Sequence, residues 1–81
     1  MGEMHEWSLA EALVISLSRY AEQEGISRIV EVDVAYGDLM ELDTEIFEQA
    51  FALMVEGTPL EGAKLVLREE EAKQRAKEAT E

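Results

Sequence analysis

The chain has 81 residues, room for one small domain with a modest core. Its 19 acidic and 7 basic residues give a formal charge of −12, which argues against nucleic acid, whose phosphates need clustered Lys and Arg, and against anionic membrane surfaces. There is no cysteine and one histidine, His5, so disulfides, thiolate sites and any zinc site built from several Cys or His ligands are excluded.

No apolar run approaches the length of a bilayer span. The opening, Met1-Gly2-Glu3-Met4-His5-Glu6, is acidic where a signal peptide is basic, so the expected location is the cytoplasm. Glu3 to Trp7 reads as a short edge strand. Ser8-Leu9-Ala10-Glu11 has the form of a capping box, and Leu9, Leu13, Leu17 and Tyr20 recur at helical spacing. The first helix is expected from about Leu9 to Glu24, closed by Gly25.

Ile29 to Tyr36 alternates, with Val30, Val32, Val34 and Tyr36 on one face and Ile29, Glu31, Asp33 and Ala35 on the other. This predicts a strand with one wet face, ended by Gly37-Asp38. Asp43 is the expected cap of a second helix, with Leu42 able to staple against Phe47. Ile46, Phe47, Ala50, Phe51 and Met54 form its buried stripe, and Gly57 and Pro59 its stop. Ala63 to Arg68 reads as a third strand.

Residues 69–81 are Glu, Lys, Arg, Ala, Gln and Thr. The pairs Glu69–Lys73 and Glu71–Arg75 suit a solvated helix or frayed tail. The expected fold class is α+β: two helices packed on one face of a small, about three-stranded, mixed β-sheet. The first helix can serve as a crossover between strands, and an open sheet edge can pair with a second copy. The expected organisation is an α/β domain over 1–68 and a charged tail over 69–81.

His5 is the one side chain with a borderline-soft metal donor near neutral pH. A lone histidine in a terminal segment is ordinarily structural or exposed. Met40 and Met54 suit loop and core packing better than a soft-metal site. Glu31 with Asp33, and Asp38 with Glu41 and Asp43, are carboxylate groupings of the kind that hold calcium or magnesium, but no calcium-loop pattern accompanies them. Asp43 reads first as a helix cap, and Glu31 and Asp33 as a solvated face. No nucleophile, acid–base pair or phosphate-cradling glycine pattern suggests an enzyme.

Met4-His5-Glu6-Trp7-Ser8-Leu9-Ala10-Glu11-Ala12 resembles the N-terminal signature of the HypA/HybF proteins. The similarity continues through Tyr36-Gly37-Asp38-Leu39 and through Glu56-Gly57-Thr58-Pro59-Leu60-Glu61-Gly62-Ala63, covering about Met4 to Ala72. The resemblance implies the family's nickel-binding domain, a metallochaperone unit for maturation of nickel–iron hydrogenase or urease. It implies Ni(II) held by the His5 imidazole with main-chain nitrogens, those of Met4 and Glu6 and a free N-terminal amine among them, a donor set that suits a square-planar ion. Glu6 and Asp43 match acidic positions that support that site. The implied partners are a nickel-handling GTPase and the immature hydrogenase large subunit.

Three departures from the family pattern bear on these expectations. Residues 1–3 precede Met4, so a chain starting at Met1 or Gly2 puts its amine too far along for the family geometry, whereas one starting at Met4 keeps it. The two Cys-x-x-Cys pairs of the family's zinc domain have no counterpart, so no zinc is expected. The family's final strand, after that zinc domain, is also missing. The alternative expectation is a metal-free interaction module, dimerising or docking on a partner through the same fold.

Overall fold

The computed structural model describes residues 5–37 and 41–70. The elements are α1 (His5–Glu24), β1 (Glu31–Gly37), α2 (Thr44–Met54) and β2 (Lys64–Glu70). Two helices and a small sheet make this an α+β fold, with two strands in the described sheet where about three were expected.

The N-terminal turn differs from expectation. Residues 5–7, read as part of an edge strand, are helical, and Ser8 is an exposed residue inside α1 rather than its cap. The reason lies in Glu6. Its side chain is 6% exposed and continues the line Glu6, Ala10, Val14 and Ala21, whose spacings of four and seven residues share one helix face. A carboxylate at the head of that line hides it from a pattern search for apolar residues. The buried face is accordingly rotated from the expected stripe: Leu9, Leu13 and Leu17 are half-buried at its border, and Tyr20 is 52% exposed.

Helix α1 ends as its glycine implies. Gly25 has φ 71°, the Ile26 N–H donates to the Ala21 carbonyl at 2.8 Å, and the Gly25 N–H reaches the Glu22 carbonyl at 3.4 Å. These two bonds form a Schellman closure, which satisfies two carbonyls that the helix end leaves free.

Strands β1 and β2 pair in parallel, with Val32 opposite Leu65 and Val34 opposite Leu67. Parallel neighbours need a long crossover, and α2 supplies it, not α1 as the sequence suggested. Val32 is buried, and Val34, Leu65 and Leu67 are half-buried against the helices. Glu31, Asp33, Lys64 and Arg68 are exposed. The alternation of β1 thus holds from Glu31 onward, while Val30 precedes the strand and is 73% exposed.

The core has two linked clusters. Ala10, Phe47 and Ala50 form one, where two alanines with no exposure let α1 and α2 come close. Val14, Val32, Phe51, Val55 and Leu60 form the other. Met54, Leu13 and Leu65 touch both, so Met54 is a core residue as expected. Burying a phenylalanine such as Phe47 contributes about 1.5–3 kcal/mol.

The connection from α2 to β2 is built by its own hydrogen bonds. Thr58 Oγ1 donates to the Val55 carbonyl at 2.6 Å and accepts the Leu60 N–H at 3.1 Å. The Thr58 N–H donates to the Val55 carbonyl, and the Glu61 N–H to the Thr58 carbonyl. The Ile29 N–H donates to the Pro59 carbonyl at 2.8 Å, which ties this turn to the segment entering β1. Leu60, with no exposure, plugs the turn into the core.

Candidate functional site

His5, the first residue of α1, is exposed. Glu6, beside it, turns inward. Glu6 Oε2 accepts the main-chain N–H of Asp43 at 2.9 Å. Asp43 is the N-cap of α2, as the sequence implied, and its side chain accepts the Ile46 N–H at 3.2 Å. The structure therefore brings Glu6 and Asp43 into direct contact, with His5 adjacent to Glu6 in the chain. Met4, the fourth candidate residue, lies outside the described residues.

This junction is a capping box shared between two helices. In the local form, the third helical residue is Glu or Gln and reaches back to the N-cap amide. In α2 that position is Ile46, which has no acceptor. Glu6 of α1 takes the role instead, and its negative charge stands at the positive end of the α2 dipole. Sequence reasoning placed a capping box at Ser8 to Glu11 and missed this one, because the pairing crosses the whole of α1 and β1.

The other carboxylates do not gather. Glu31 and Asp33 are exposed on the wet strand face, and Asp33 Oδ1 accepts from Arg68 Nε at 2.7 Å. Arg68 also stands 3.7 Å from Glu70. The hydrogen bond to Asp33 and that carboxylate's charge raise the Arg68 guanidinium above its ordinary pKa. Glu41 is exposed with φ 54°, and Asp38 and Met40 lie outside the described residues, as do Glu71, Lys73 and Arg75 of the expected tail pairs; Glu69, expected to open the tail, is instead an exposed residue of β2. Among the described residues, no three His, Cys, Asp or Glu side chains are grouped to hold a metal ion. A donor set of one imidazole and main-chain nitrogens does not call on such a group. Among the described residues no helix is long and apolar enough to cross a membrane.

Comparison with known proteins gives the class. The family described as "Hydrogenase/urease nickel incorporation, metallochaperone, hypA" matches residues 4–80. The chain belongs to this HypA family, whose described task is metal incorporation, carriage rather than catalysis. Similar proteins include the "Hydrogenase maturation factor HypA" of Pyrococcus horikoshii, 41% identical over 69 residues that cover 85% of this chain and 50% of that protein. The Pyrococcus furiosus protein of the same name is 42% identical with the same coverage. That of Archaeoglobus fulgidus is 36% identical over 85% of this chain and 63% of its own length. The chain spans about half the length of the Pyrococcus relatives it matches.

Proposed function

We propose that this chain is the nickel-binding unit of a metallochaperone, taking up Ni(II) at Met4, His5 and Glu6, with Asp43 in support, and releasing it during maturation of nickel–iron hydrogenase or urease. The observation that carries this reading is the family match beginning at Met4. The position of His5 agrees with it: the imidazole is exposed at the start of α1. The first N–H groups of a helix have no acceptor within it, so the main-chain nitrogens of His5 and Glu6 are not committed to the helix ladder. Neutral imidazole and main-chain nitrogen form the kind of donor set that a square-planar divalent ion prefers. The Glu6–Asp43 contact fixes this turn of α1 on α2, which orients the donors without using the imidazole.

In this reading nickel is cargo, delivered with a nickel-handling GTPase to the immature hydrogenase large subunit, and the domain over 1–68 does the carrying ahead of the charged segment 69–81. No zinc enters the scheme, and the carrier acts in the cytoplasm. The test is a calorimetric nickel titration near neutral pH on this chain and on one beginning at Met4, each with a His5→Ala counterpart. Binding near one equivalent that is lost with His5 supports the proposal. Binding by the Met4 version alone assigns a ligand role to its terminal amine. Nickel affinity unchanged by His5→Ala would sink it.

A second reading, a metal-free module that pairs with a second copy or a partner, rests on the sheet. Among the described residues β1 and β2 pair only with each other, so each leaves one edge unpaired. Absence of nickel binding by both versions, together with a dimer in solution, favours that reading.

A further inference from the structure

An open groove of ≈ 710 Å³ runs between α1 and the α2–β2 turn. Its apolar lining comes from Val14 and Ile15 of α1, Ile26, Met54 and Pro59. Ile15 is 44% exposed and offers aliphatic surface to the groove. Ser18 Oγ also belongs to the groove wall, is buried, and has no hydrogen-bond partner among the described residues. The wall opposite α1 is preset, because Thr58 and Pro59 are held by the Val55, Leu60 and Ile29 hydrogen bonds. A rigid wall lowers the ordering cost of docking.

The charge around the groove selects the occupant. Glu11 and Glu22 line it on α1, about 16 Å apart along the helix axis at the α-helical rise. Neither forms a salt bridge among the described residues, and Arg19 is the one base in the lining. The whole chain carries −12, so a second copy would meet this face with charge of the same sign, and an anionic lipid surface would be repelled.

We propose that this groove docks an amphipathic basic helix of a partner protein. About three helical turns match the spacing of the two glutamates. Aliphatic side chains at helical spacing fill the floor between Ile15 and Pro59, and Lys or Arg at the two ends reach Glu11 and Glu22. The groove starts more than one turn beyond His5, so docking does not require nickel, and the proposal stands apart from the metal site.

The experiment is an NMR titration of the isotope-labelled chain, without metal, using a leucine–lysine peptide of about three to four turns whose leucines share one face. Controls are a scrambled peptide of the same composition and a leucine–glutamate peptide with the same face. Saturable shifts confined to Ile15, Ser18, Ile26 and Thr58, present with the patterned basic peptide alone, are the expected result. Ile15→Lys is expected to weaken binding about tenfold or more. The exposed double variant Glu11→Lys, Glu22→Lys should weaken it likewise while leaving the spectrum of the free chain folded. Equal localised shifts from the scrambled or acidic peptide, or affinity unchanged by both variants, would overturn the proposal. Groove shifts that grow with protein concentration in the absence of peptide would overturn it in favour of a second copy.

Discussion

Glu6 and Asp43 stand 37 residues apart in the chain, and the Glu6 carboxylate accepts the Asp43 main-chain N–H at 2.9 Å. One bond joins the first turn of α1 to the first residue of α2. It satisfies an amide that α2 itself cannot serve, since Ile46 occupies the position from which a local acceptor would reach back.

Glu6→Ala leaves that amide without its acceptor at a part-buried site, and the expected cost is about 1–3 kcal/mol. Glu6→Gln keeps an acceptor oxygen but loses the charge at the α2 N-terminus, for a smaller cost of about 0.3–1 kcal/mol. Urea unfolding of the three proteins gives the comparison. Equal midpoints for Glu6→Ala and the parent chain would mean that solvent replaces the contact freely.

Phe47 joins both helices through Ala10 and Ala50 and is 3% exposed. Phe47→Ala should cost about 3–5 kcal/mol, and Leu60→Ala, which unplugs the α2–β2 turn, about 2–5 kcal/mol. In a domain this small either loss approaches the whole stability. Thermal unfolding followed by circular dichroism is expected to show broad, early transitions. A native-like midpoint for either variant would mean that the core closes over the gap.

Gly57 has φ 78°, and a Cβ built there meets nothing within 4 Å. The penalty for Gly57→Ala is therefore conformational rather than steric with neighbours, about 1–2 kcal/mol. Calorimetry that finds Gly57→Ala as stable as the parent would show that the turn relaxes to a negative φ at no cost.

The Asp33–Arg68 pair is exposed, with a 2.7 Å contact across the two strands. Removing it by Arg68→Ala should lower stability only slightly, and less in high salt than in low. The folded-state pKa of Arg68 is raised, so its share is fully present below the unfolded value and lost only as pH rises through the folded one. Between about pH 7 and pH 10 the difference between parent and variant should therefore be flat. A difference that fades over that range would point to another group.

Much of this protein was legible from the sequence. Asp43 as a cap, Gly25 as a stop, the α2 stripe of Phe47, Ala50 and Phe51, and the wet face of β1 all depend on neighbours a few residues away; α2 itself closes at Val55, two residues before the expected stop Gly57. Propensity and periodicity report such local preferences directly. The family, too, was legible, because the Met-His-Glu start and the Glu-Gly-Thr-Pro-Leu-Glu-Gly-Ala segment are linear motifs.

The tertiary structure decided what depends on partners far away in the chain. Glu6 is buried because Asp43 offers it an amide, and no local pattern announces a carboxylate on a core face. That contact also turns residues 5–7 from the expected strand into the head of α1. The role of α2 as crossover follows from β2 pairing in parallel with β1, a choice between sheet topologies that the two strand patterns leave open. A sequence states which faces are apolar; only packing states which of them meet, because burial is a property of two surfaces at once.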